Sequence, residues 1–290
     1  MTVTILDGSI GQELVNRSGQ TPTGLWSTKT MVESPELVKQ VHDAYFAVGA
    51  EIATTNTYPL HRDRLVSHGL EDQFESLHHL GCQIARESRD AYGSGRVAGA
   101  LGPIGWSYRP DLAPPPEEAA ELYAEIARIH EPYVDILLIE TMCSVDQARG
   151  ALMGASVTNR PVWLGVSVDD DNGENLRSGE PLIDLIPVIE EFNPDALLVN
   201  CSVPEAVTLA CNVLSELNVQ RGAYANGFTA ITSEFAQAGA TVDALSARED
   251  LGPEKYAEFA AQWIESGARI VGGCCEVGPR HIQELVRLYK

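Results

Sequence analysis

Short apolar runs alternate with longer amphipathic stretches along the whole chain. Eight runs read as buried strands, over residues 3–7, 51–57, 96–102, 135–141, 162–168, 196–201, 222–226 and 269–273. They are nearly continuous in apolar residues rather than alternating, as expected of strands covered on both faces. Helix candidates lie at 35–48, 71–91, 116–130, 145–157, 182–192, 204–217, 253–266 and 279–289. In the first, Leu37, Val38, Val41, Ala44, Tyr45 and Val48 recur at helical spacing and share one face. Pro35, Pro204 and Pro279 fall in first turns, where a missing N–H leaves no bond unmade.

Eight strand–helix pairs predict an α/β protein, a single (β/α)8 TIM barrel spanning 1–290 as one domain. The rival, an open doubly wound sheet, asks for a Gly-x-Gly-x-x-Gly turn after the first strand. Asp7-Gly-Ser-Ile-Gly11 does not supply it. Long connections at 8–34, 105–115 and 227–252 follow strands one, three and seven, on the face where barrel enzymes place their sites. Asp169-Asp-Asp-Asn-Gly-Glu174 lacks the spacing of a calcium loop and reads as a solvated turn.

Composition narrows the function. The net charge of −21 repels phosphate backbones and anionic lipid, so neither nucleic acid nor a membrane is an expected partner. The longest apolar runs, such as 136–139, are too short to cross a bilayer. The N-terminus lacks a basic region followed by an apolar stretch, and a cytoplasmic location is expected.

In a barrel, polar residues at the strand ends converge on one mouth. These are Asp7 and Ser9 on strand one, Asn56 and Tyr58 on strand two, Glu140 and Thr141 on strand four, Cys201 on strand six, Asn226 on strand seven, and Cys274 and Cys275 on strand eight. Of the six cysteines, Cys82 and Cys211 fall in helices and read as small core residues, and Cys143 reads as structural. The other three suit a zinc site with three thiolates and one open position. Adjacent strand residues point to opposite faces, so Cys274 and Cys275 reach one metal only if the chain leaves strand geometry. Gly272-Gly273 is read as the source of that freedom. The alternative is a redox-active or metal-sensing barrel built on a Cys274–Cys275 pair. No histidine or lysine stands at a strand end, which argues against hydrolytic zinc and Schiff-base chemistry. The seven histidines read as surface residues or satisfied packing. An all-sulfur ligand set suits the binding of another sulfur.

Asp7-Gly-Ser9, Leu25-Trp-Ser27, Glu33-Ser-Pro-Glu-Leu37, Thr55-Asn-Thr-Tyr58, Gly102-Pro103, Glu140-Thr141, Asn200-Cys201 and Gly272-Gly-Cys-Cys275 occur in the order of the homocysteine S-methyltransferase family, which the chain resembles over almost its whole length. The resemblance implies a (β/α)8 barrel that binds Zn2+ through Cys201, Cys274 and Cys275. It implies transfer of a methyl group from a small donor to homocysteine, giving methionine. It places the homocysteine amino group on Asp7 and Glu140 and its carboxylate on backbone amides near Ser9 and Ile10. It brings Asn226 and Tyr58 near the metal. Leu25-Trp26-Ser27 resembles the branch that uses S-methylmethionine. A sulfonium or quaternary ammonium donor suits an anionic site, with Trp26 and Tyr58 flanking it by their ring faces and Asn56 and Thr141 at the same mouth. Gly11-Gln12, Glu276-Val-Gly278 and Ala225 depart from the family pattern around the donor pocket.

Overall fold

The computed structural model describes residues 2–19, 27–232, 235 and 245–290. Its strands are β1 (Thr4–Ile5), β2 (Ile52–Thr54), β3 (Arg96–Leu101), β4 (Ile136–Met142), β5 (Val162–Val166), β6 (Ala196–Asn200), β7 (Gln220–Tyr224) and β8 (Ile270–Val271). Each pairs in parallel with its neighbours in chain order, and β8 pairs with β1. A parallel bridge between Leu6 and Ile52 joins the remaining edges, backed by Glu51 N–H to Ile5 O at 2.8 Å and Asp7 N–H to Ile52 O at 3.1 Å. The sheet thus closes on itself, as the expected TIM barrel requires.

The strand sequences follow from that closure. β4 reads Ile-Leu-Leu-Ile-Glu-Thr-Met with every residue buried. Ile136 and Leu138 enter the inner cluster with Leu6, Trp163, Leu198, Tyr224 and Ile270, whereas Leu137 and Ile139 pack outward under the helices. Successive side chains point to opposite faces, and in a closed barrel both faces are covered.

The expected helices are present, among them Pro35–Ala47, Phe74–Tyr92, Pro116–His130, Pro253–Glu265 and Pro279–Tyr289. Connection 8–34 is richer than a loop, for it carries the helices Ile10–Ser18 and Ser27–Glu33. Ser9 caps the first by accepting from Gln12 N–H at 3.2 Å, and Gly19 ends it at φ 64°. A third unexpected helix, Arg62–Val66, has only five residues. Elements this short carry too few apolar repeats for periodicity to register, and caps are their main sequence signal. Among the described residues no helix is long and apolar enough to cross a membrane.

The histidine reading needs correction at the buried rings. His78 and His130 pair through ring nitrogens at 2.9 Å, but among the described residues the buried His130 Nδ1 and His61 Nε2 have no partner. His42 is fully buried, and neither ring nitrogen has a partner among the described residues. Burial lowers its pKa to about 4, which keeps the ring neutral.

Candidate active site

The strand ends surround a cavity of about 140 Å³ at the carboxyl-terminal mouth of the barrel. Asp7, Ser9, Ile10, Asn56, Tyr58, Glu140, Thr141, Cys201, Cys274 and Cys275 all line it. Asn226 does not: it is fully buried, its Oδ1 accepts from Phe228 N–H at 3.0 Å, and its Nδ2 is unpartnered. Leu25 and Trp26 lie outside the described residues.

Backbone geometry gathers the cysteines. Cys201 follows β6 in the left-handed region, at φ 54°, which is rare for a residue with a Cβ. Its amide donates to Tyr224 O at 3.3 Å, and Cys274 N–H donates to Ala225 O at 3.0 Å, so both hang from the end of β7. The turn after the cysteine pair is made by Glu276 at φ 63°, not by Gly272-Gly273, neither of which has a positive φ. Those glycines answer to crowding instead. A Cβ on Gly272 would lie 2.4 Å from the Leu6 Cβ, and one on Gly273 2.1 Å from Val277 Cγ1. The strand-end chain there must pass close to β1, and only glycine allows it.

The three Sγ atoms lie within 4.8 Å of one another. Sulfurs around a tetrahedral zinc are roughly 3.8 Å apart, so the reduced trio fits such an ion. The structure joins Cys201 and Cys274 as a disulfide, with Cα atoms 5.6 Å apart, and leaves Cys275 as a free thiol. The sulfurs in contact are those of Cys201 and Cys274, from the ends of β6 and β8, rather than those of the adjacent Cys274 and Cys275. The remaining cysteines are buried and apart from this cluster. Cys143 donates to Thr141 O at 3.2 Å, and burial pushes its thiol up to about 11.

The segment read as a solvated turn is a brace for this centre. Asp170 accepts from Arg177 Nη2 at 2.8 Å, Val203 N–H at 3.0 Å and Ile231 N–H at 2.9 Å. Arg177 also donates to Cys201 O at 3.2 Å and Ser167 Oγ at 2.7 Å. This nearly buried ion pair ties three strand-end loops to the carbonyl of a cysteine in an unfavourable conformation. Run composition hid it, because an acidic run on a surface is usually solvated.

Two carboxyls face the cavity from β1 and β4. Asp7 accepts from Thr54 N–H at 2.6 Å and Thr54 Oγ1 at 2.8 Å. Glu140 accepts from the Tyr224 hydroxyl at 3.1 Å. Burial raises Asp7 to about 7 and Glu140 to about 8, offset in part by those hydrogen bonds. Both are poised to ionise when a cation arrives. Ser9 N–H is already engaged by Val277 O at 3.0 Å. Ile10 and Gly11 present first-turn amides of the Ile10–Ser18 helix to the cavity, where helix geometry provides no internal acceptor.

The aromatic part of the lining is built from Tyr58, Trp106, Tyr108, Phe228 and Phe235. Tyr58 OH and Ser107 Oγ are 2.9 Å apart, and the Tyr108 and Phe235 rings lie 5.9 Å apart. Thr141, at φ 64°, is fixed by Asn200, which accepts from Thr141 N–H at 3.0 Å and donates to its Oγ1 at 2.9 Å. Asn56 Nδ2 donates to Ser27 O at 3.3 Å. Tyr224, Thr54, Trp106 and Tyr108 escaped sequence reasoning. Tyr224 ends β7, Gln-Arg-Gly-Ala-Tyr, and none of the four has a motif of its own.

A barrel that gathers thiols rather than histidines at its carboxyl-terminal mouth belongs among the enzymes that handle sulfur. More narrowly, the chain belongs to the homocysteine S-methyltransferase family, whose sequence profile matches residues 4–289. It is 30% identical to the homocysteine S-methyltransferase of Escherichia coli strain K12, over 98% of this chain and 94% of that one. The crystal structure of the E. coli homocysteine methyltransferase MmuM in metallated form superposes with a TM-score of 0.82 at 26% identity, covering 99% of this chain and 96% of the other. The oxidised form of MmuM gives 0.81 at 26% identity with the same coverage.

Proposed function

We propose that this enzyme transfers a methyl group from S-methylmethionine to homocysteine, using a zinc ion held by Cys201, Cys274 and Cys275. The carrying observation is that three Sγ atoms within 4.8 Å share one cavity with Asp7 and Glu140. Bound zinc supplies the Lewis acidity that keeps a substrate thiol deprotonated at neutral pH.

The chain's own residues do the rest. Asp7 and Glu140 hold the homocysteine ammonium, and the first-turn amides of Ile10 and Gly11 hold its carboxylate. Tyr224 and Thr54 fix the two carboxyls, so the substrate sulfur is directed toward the cysteines. Tyr58, Trp106 and Tyr108 offer ring faces to the sulfonium. The substrate thiolate attacks the donor methyl in line. A new C–S bond forms, the old bond's electron pair stays on the donor sulfur, and two molecules of methionine result. The homocysteine proton goes to solvent. Thiol ligands of this kind suit the reducing cytoplasm.

Reduced, zinc-loaded protein incubated with homocysteine and S-methylmethionine should form methionine, at two molecules per homocysteine consumed. Absence of product with every sulfonium or betaine donor would refute methyl transfer. Product from a different donor would refute only the choice of S-methylmethionine.

A further inference from the structure

Among the described residues, one charged group lining the cavity takes part in no salt bridge. Arg64, on the short helix after β2, is 9% exposed and lines the same cavity as the cysteines. Its Nη2 donates to Pro103 O at 3.1 Å, and its buried Nε has no partner among the described residues. The guanidinium carbon lies 5.1 Å from the centre of the Trp106 ring. The neighbouring carboxylate, Asp63, is committed to backbone, accepting from Arg64 N–H at 2.9 Å and Gly105 N–H at 3.1 Å. Arg64 forms no salt bridge among the described residues; its named electrostatic neighbours are Tyr58, Asp63 and Tyr123.

Buried charges are ordinarily paired, because desolvation without a partner is expensive. A guanidinium with unfilled donors on a ligand cavity wall is therefore built for an anionic group of the ligand. Its planar fork matches a carboxylate. Two carboxylates are available in the proposed reaction. That of homocysteine has the amides of Ile10 and Gly11, three and four residues along the chain from Asp7. Arg64 instead lies against Trp106 and is electrostatically coupled to Tyr58.

We propose that Arg64 selects the methyl donor by binding its carboxylate while the rings of Tyr58 and Trp106 receive its onium group. The donor class is then a zwitterion, with a methylated cation and a carboxylate in one small molecule. Simple cations that lack the carboxylate are rejected, because they leave the buried guanidinium unpaired. This assignment rests on the methyl-transfer reading above, but not on S-methylmethionine being the donor.

The test compares S-methylmethionine with its carboxamide in the wild-type enzyme and in Arg64→Met and Arg64→Lys, at saturating homocysteine. The wild type should prefer the acid by about 100-fold in kcat/KM, and Arg64→Met should lose about 100-fold on the acid and little on the amide. Arg64→Lys should recover part of that loss. The Kd for homocysteine should stay within about 2-fold throughout, since Asp7, Glu140 and the Ile10 and Gly11 amides are unaltered. Equal use of acid and amide by the wild type would overturn the proposal, as would Arg64→Met weakening homocysteine instead of donor. The wild-type ratio decides the matter even if Arg64→Met does not fold. If S-methylmethionine gives no product, glycine betaine and dimethylsulfoniopropionate are compared with choline and trimethylsulfonium. Turnover of the carboxylate-bearing donors alone sustains the role of Arg64 and refutes the choice of S-methylmethionine. Turnover of the carboxylate-free donors refutes the role of Arg64.

Discussion

The two walls of the cavity treat charge in opposite ways. On one side, Asp7 and Glu140 are acids whose pKa values burial raises to about 7 and about 8, Asp7 held by Thr54 of the adjacent β2 and Glu140 by Tyr224 of β7. On the other, Arg64 remains a permanent cation among aromatic rings, with donors to spare. The first wall can adjust its charge to the ligand, and the second cannot. An ammonium-bearing substrate suits the adjustable wall, while the fixed cation demands a ligand that brings its own anion. The cysteines line the same cavity as both sets, at the ends of β6 and β8.

The largest effect should come from the metal centre on which both walls depend. Cys274→Ser should abolish zinc binding and activity together, as measured by metal content and methionine formation, while the barrel's far-ultraviolet spectrum stays unchanged. Next is Glu140→Gln. It should retain zinc and weaken homocysteine about 30-fold by calorimetry, the scale of one hydrogen bond to a charged group. If donor KM moved instead, the two walls would have been assigned the wrong way round.

The contrast also predicts pH behaviour. Homocysteine binding needs ionised carboxylates, so affinity should rise as pH passes through about 7 and about 8. Stability of the substrate-free protein should run the other way. Folding raises both pKa values from the ordinary 3.8 and 4.5, so the folded chain binds more protons than the unfolded one in that interval. Stability is therefore lost as pH rises from about 4 to about 8, and Asp7→Asn should flatten that slope in a melting series. A subtler effect is expected for Tyr224→Phe. Its hydroxyl lowers the Glu140 pKa, so its removal should shift homocysteine binding to higher pH and weaken it about 5-fold at neutral pH.

The barrel was legible because closure buries both faces of every strand, and that leaves long apolar runs such as β4. The cysteines were legible because three thiols at strand ends are improbable as core residues alone. The Asp170–Arg177 brace was not, since its partners are backbone amides and carbonyls of distant loops, which no local composition reveals. Arg64 was missed for a similar reason. Nothing in Arg62-Asp-Arg64 announces burial, and its isolation appears only once Asp63 is seen to turn toward the backbone. Gly272-Gly273 was noticed for the wrong property, since close approach to Leu6 and Val277 fixes those positions rather than an unusual φ.

The central claim is that the three-cysteine centre activates homocysteine for attack on an onium methyl group. It is tested most directly by giving reduced, zinc-loaded protein S-methylmethionine with isotope-labelled methyl groups and homocysteine with a deuterated backbone. The account predicts methionine that carries both labels, formed only when Cys201, Cys274 and Cys275 are reduced and metal-bound. Metal-loaded protein that binds homocysteine yet yields no doubly labelled methionine, with this donor or any other carboxylate-bearing onium compound, would contradict it.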